Sequence, residues 1–147
     1  MLKQLAVAAV ATSLPGMMHA EMISKPSPFD VGTTIDRLVA AVEAAGATVF
    51  ARVDHAGGAA KIGADLRPTQ MLMFGNPKLG TPALQAAQTT GLDLPLRALA
   101  YEDANGQVHL VYHAPSGLSD HGVPADADVL KKMTGALDKL TNAAVLE

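Results

Sequence analysis

Asp54 and His55 stand side by side at the end of a segment rich in branched and aromatic side chains, just before Gly57-Gly58. A carboxylate beside an imidazole can fix its tautomer, or the two can share a metal ion. The same Asp can instead cap the helix that follows. His109, His113 and His121 lie downstream. A transition-metal ion such as zinc needs imidazole nitrogens at about 2.0–2.1 Å. His109 and His113 are four residues apart in a strand-like segment, which separates them by about 13 Å and keeps them from one ion. His55, His113 and His121, at strand ends and loops, form the candidate metal set.

Other polar groups extend the candidate list. Pairing 96–103 with 107–114 through Asn105-Gly106 sets Glu102 opposite His109, a cross-strand pair that can also begin an acid–base unit. Asn76 lies in FGNPKLGTP (74–82), where a strand turns into a helix N-terminus and Lys78 adds a positive charge. Such a terminus can hold an anion, or serve only as a tight turn. Asp93 follows in GLDLPLR. The chain has no Gly-Lys-Ser/Thr phosphate loop, dinucleotide fingerprint, Gly-x-Ser-x-Gly elbow or His-Glu-x-x-His helix. Met71 and Met73 sit in an apolar strand, where core filling is expected of them.

Composition bounds what these residues can do. The chain has 147 residues, 49% hydrophobic and 17% charged, with two Tyr, three Phe, no Trp and no Cys. That length suits one domain with a modest core. The missing Cys excludes a disulfide scaffold, a thiolate metal site and a cysteine nucleophile. A net charge of −3, with Lys and Arg scattered, argues against nucleic acid as a partner.

Residues 1–20 read as an export leader. Lys3 supplies a positive start, residues 5–14 form an Ala-, Val- and Leu-rich run, Pro15-Gly16 breaks it, and Ala20 offers a small residue before the cut. The run is shorter than the roughly 20 apolar residues that span a bilayer. The expectation is a periplasmic or secreted protein of residues 21–147, free of the membrane after cleavage.

The elements that position the candidate residues follow from periodicity. A short strand is expected within 21–29. Asp30 caps a helix whose apolar stripe is Val31, Ile35, Leu38, Val39 and Val42, and which stops at Gly46. Strands are expected over 47–54 and 69–75, a short Ala-rich helix after His55, and a helix over 81–90. Asn105-Gly106 is a strong hairpin signal. As a two-residue turn it places Leu99, Tyr101, Val108, Leu110 and Tyr112 on a core face, and Ala98, Ala100, Val111 and His113 on the other. A polar loop over 115–125 leads to a last helix with the stripe Val129, Met133, Leu137, Leu140 and Ala144. The order predicts an α+β two-layer sandwich.

VDHAGGAAKIGADLRPTQMLMFGNPKLGTPALQ, GLDLPLRALAYEDANGQVHLVYH and His121-Gly122 closely resemble the bacterial family called domain of unknown function 302, over about residues 22–143. The resemblance implies a curved antiparallel sheet backed by helices, similar to half of the TATA-binding-protein fold, and a homodimer. It implies no reaction and no DNA binding.

The expected function is a non-enzymatic, dimeric periplasmic domain that binds or senses a small ligand or metal ion. The candidate ligand-binding residues are Asp54, His55, Asn76, Asp93, Glu102 and His121. One alternative is a small hydrolase or isomerase with His55 or His121 as general base, oriented by Asp54 or Glu102. Another is a protein-interaction module using the sheet face that carries Ala98, Ala100 and Val111.

Overall fold

A computed structural model of the protein describes residues 20–147, so the expected leader lies, apart from Ala20, outside the described residues. Five strands form one antiparallel sheet: β1 (Met22–Ser27), β2 (Thr48–Asp54), β3 (Thr69–Gly75), β4 (Leu96–Glu102) and β5 (Val108–His113). Their order is β1-β5-β4-β3-β2. Four α-helices accompany them: α1 (Val31–Ala44), α2 (His55–Lys61), α3 (Pro77–Ala86) and α4 (Asp128–Val145). The result is the α+β two-layer sandwich anticipated above.

Asp30 starts α1 by accepting the Thr33 N–H at 2.8 Å, and Gly46 (φ 71°) lets the chain turn away after it. Ile35, Leu38 and Val42 repeat at helical spacing and are fully buried against Leu72, Phe74, Leu110 and the α4 residues Leu137 and Ala144. Each such side chain contributes roughly 1.5–3 kcal/mol by leaving water. Polar ties align the layers. Lys25, on the helix-facing side of β1, reaches α4 through Asp138 Oδ1 (2.7 Å), Thr141 Oγ1 (2.9 Å) and Asn142 Oδ1 (2.7 Å). Arg37 covers the Phe29 ring at 4.3 Å and donates to the Ala144 carbonyl near the end of α4.

A second, smaller core joins Ala83 of α3, Leu130 and Met133 of α4, and Leu118 and Val123 of the 115–123 segment, with Leu94 packed beside them. It anchors two 3-10 helices, Gln88–Leu92 and Pro115–His121. The second of these lies in the segment expected to be a loop.

The hairpin register differs from the expectation by one residue. Tyr101 pairs with His109, and Glu102 with Val108 rather than His109. The Asp103 N–H donates to the Gln107 carbonyl at 2.8 Å, so the loop holds Ala104-Asn105-Gly106, with Gly106 at φ 81°. The Asp103 carboxylate selects this longer loop by accepting the Asn105 and Gln107 N–H groups at 2.8 and 3.0 Å. Because side chains alternate, a one-residue slip inverts a strand's faces. Ala98 and Ala100 are therefore in the core with Leu110 and Tyr112, while Leu99 and Tyr101 share the opposite face with His109 and Val111. Met71, paired with Leu99, stands on that outer face, as does Met73, and both are half-buried rather than core.

Candidate functional site

The expected site residues separate into two groups at opposite ends of the sheet. At one end, Asp54 caps α2, its Oδ1 accepting the Gly57 N–H at 2.9 Å. His55 is the first residue of that helix and is exposed. Register carries Asp54 across to Gln70, Ala100 and Leu110, and His113 lies three residues further along β5. Strand rise and spacing then put Asp54 and His113 about 15–20 Å apart. Asn76 lies at the other end of β3 from Asp54, just past Gly75, where it caps α3 by accepting the Lys78 N–H at 3.0 Å, so that helix begins at Pro77, ahead of the expected 81. Glu102 is tied through its backbone, its N–H donating to the Pro68 carbonyl and its carbonyl accepting Arg67 Nε, both at 3.0 Å.

Asp93, His113 and His121 meet at the other end. They line a cavity of about 140 Å³ together with Arg97, Asp120, Leu96, Leu118 and Ala20. The first 3-10 helix delivers Asp93, whose N–H donates to the Thr90 carbonyl at 2.9 Å. The second ends at His121, where Gly122 (φ 100°) turns the chain away in a conformation costly for other residues. Leu118, buried in the smaller core with Ala83, Leu130 and Met133, fixes this helix against α3 and α4.

His121 Nε2 lies 2.6 Å from Asp93 Oδ2. An ionised carboxylate only accepts, so Nε2 carries the proton and a neutral imidazole keeps Nδ1 as its acceptor. The imidazole side chain is 19% exposed, so the pair is set into the protein without being sealed from solvent. Arg97 Nη2 approaches the other oxygen, Asp93 Oδ1, at 3.2 Å, and also donates to the Leu92 carbonyl. Asp93 thus orients both a cation and an imidazole at the mouth of one cavity. This arrangement can bind hydrogen-bonding groups, or use His121 as an acid or base with Asp93 as its orienting partner.

The orienting carboxylate for His121 is therefore Asp93, in place of the expected Asp54 or Glu102. His55 does not join His113 and His121, and among the described residues no three His, Asp or Glu side chains are grouped to hold a metal ion. Arg97 escaped the sequence reading, although its position four residues after Asp93 is visible there.

A second carboxylate–imidazole contact belongs to the hairpin. His109 Nε2 donates to Asp103 Oδ2 at 3.0 Å while its ring stacks on Tyr101, centroids 5.4 Å apart. The His109 hydrogen bond and the Gln107 N–H hold the Asp103 carboxyl below the usual carboxylate range.

The fold and these motifs define the family. The chain belongs to the family described as domain of unknown function DUF302, whose model matches residues 23–140. The crystal structure of an uncharacterized conserved protein DUF302 from Bacillus stearothermophilus is similar in fold, with a TM-score of 0.67 and 20% identity over 84% of this chain and 94% of that one. Two curated relatives are each 38% identical over 125 residues, 83% of this chain: Fluoride-specific ion channel FluC 1 of Brucella suis biovar 1 and Fluoride-specific ion channel FluC 2 of Brucella melitensis biotype 1. The match spans 49% and 46% of those proteins, so this chain corresponds to about half their length.

Proposed function

We propose that the protein is an exported, dimeric binding domain that holds a small polar ligand in the cavity between the two 3-10 helices, without chemical turnover. The observation that carries this reading is the convergence of Asp93 and Arg97, from the segment 91–97, with His121, from the second 3-10 helix, on that cavity. Its volume of about 140 Å³ is below the roughly 300–1,000 Å³ of drug-sized sites, which suits an ion or a molecule of few heavy atoms. Arg97 beside Asp93 favours a hydrogen-bonding molecule over a metal cation, because the guanidinium already neutralises the carboxylate and repels a second positive charge.

Cleavage after Ala20 fits this reading, since it removes one residue of the cavity wall. It leaves Glu21 tied in place by its carbonyl, which accepts the Ala114 N–H at 2.7 Å. Ion conduction is not proposed. No helix among the described residues is long and apolar enough to cross a membrane, and the relatives named as channels are matched over only half their length.

The Asp93–His121 pair also favours a second reading, a small hydrolase or isomerase with His121 as general base. Among the described residues the cavity walls carry no Ser or Thr hydroxyl, so such an enzyme would have to activate water or abstract a substrate proton directly.

Thermal-shift titrations of the purified protein with small carboxylic acids, amines and zinc ions test the assignment. A ligand that stabilises the protein should bind about ten- to a hundredfold more weakly to Asp93→Asn and His121→Ala, the cost of a lost charge-assisted hydrogen bond. His55→Ala should bind it as the parent does. Equal loss in His55→Ala, or none in the first two variants, contradicts the assignment.

A further inference from the structure

A second cavity lies beyond the segment 91–97, which forms a wall of both. Its volume is about 340 Å³, and Phe50, Leu79, Leu84, Leu94, Leu96 and Met133 line it. Among the described residues no charged side chain lines it, and its polar side chains are Asn76 and Thr81. Asn76 is already committed as the α3 cap.

Three glycines keep the space open. A methyl group built on Gly75 meets the Phe50 ring at 3.6 Å and Pro95 at 3.8 Å, one on Gly91 meets Leu84 at 3.4 Å, and one on Gly80 comes no nearer than 4.0 Å to Leu94. Every one of these neighbours is itself a lining residue, so each added side chain would grow into the cavity. None of the three glycines has positive φ, and backbone conformation does not account for them. Gly80 lies inside α3, where Ala would favour the helix. The three glycines come from separate segments that converge on one cavity. Phe50, at the register irregularity of β2, is 56% exposed although its ring borders the cavity, so an apolar group entering there would cover it.

We propose that this cavity is a binding site for an uncharged hydrocarbon group, the acyl chain or the ring of a small molecule. An apolar, largely preformed cavity of this size gains affinity by taking hydrocarbon out of water, about fourfold per methylene. A charged ligand would find no partner among the lining side chains.

Methionine methyl NMR provides the test, because Met133 is the lining methionine and Met71 and Met73 on the outer sheet face serve as internal controls. The protein labelled at its methionine methyls is titrated with toluene, as a ring, and with 1-octanol, as a chain. The Met133 signal should move saturably with one or both while the Met71 and Met73 signals stay in place, and the responding probe tells ring from chain. Gly80→Leu, which fills the space, should weaken the response about tenfold or more. Gly80→Ala should weaken it less and melt no lower than the parent. If neither probe moves Met133, or if both Gly80 variants remain folded and respond as the parent does, the site is not there.

Discussion

His109 and His121 each donate to an aspartate, and their surroundings give the two pairs different work. Asp103 also accepts two backbone N–H groups of the hairpin loop, so His109 completes a turn. Among the described residues Asp93 accepts from Arg97 and His121 and from no backbone N–H, and it faces a cavity. Asp30 and Asp103 both have lowered carboxyl pKa values, Asp30 chiefly through the Thr33 N–H and hydroxyl, Asp103 chiefly through His109. A lowered carboxylate stabilises the fold above its unfolded value of about 3.9, and that contribution disappears as pH falls through the lower native value. Urea midpoints measured downward from neutral pH should therefore fall below about pH 4, and Asp103→Asn should flatten that fall. An unchanged slope in the variant would show that the turn does not depend on the charge. Asp93 and His121 could be singled out from sequence as polar groups at element ends. Their pairing could not, because the residues are 28 apart and meet only through the packing of two 3-10 helices on the smaller core.

Helix α2 carries two adjacent glycines with opposite expected responses. A methyl at Gly57 would lie 2.6 Å from Asp54 Oδ2 and displace the cap, whereas nothing lies within 4 Å of one at Gly58. Gly57→Ala should destabilise the protein by roughly 0.5–2 kcal/mol, the cost of a lost cap, and Gly58→Ala should stabilise it by up to about 1 kcal/mol. Denaturant unfolding of the two variants side by side decides this, and a shared sign would contradict the capping geometry. Most elements were legible in the sequence. The strand over 69–75 was read at its actual bounds, and Asp30 and Gly46 marked the ends of α1 through capping chemistry. The hairpin was found but its register was not, because Asn-Gly favours a two-residue turn while the Asp103 carboxylate stabilises a three-residue one. α3 began early because Asn76 caps it and Pro77 fits a first helical position, which outweighs the weak periodicity before Thr81.

In the molecule as a whole, α1 and α4 cover one face of the sheet, and the other presents the half-buried Met71, Met73, Leu99 and Tyr101 around the buried Val111. A homodimer built on that outer face has a direct test. Leu99→Glu should halve the mass measured by sedimentation while the protein stays folded, and a mass unchanged by Leu99→Glu contradicts this interface. Ala100→Glu should instead unfold the protein, because Ala100 is fully buried under the helices. At the opposite end of the structure from α2, the two 3-10 helices close the Asp93–His121 cavity. The most direct test of ligand binding there is a native mass spectrum of the protein recovered from the cells that produce it, without chelator or metal-affinity column. The spectrum should carry a stoichiometric added mass of a small molecule, lost in Asp93→Asn and His121→Ala but kept in His55→Ala. A bare protein in every preparation, or an added mass that survives both pocket variants, would contradict it.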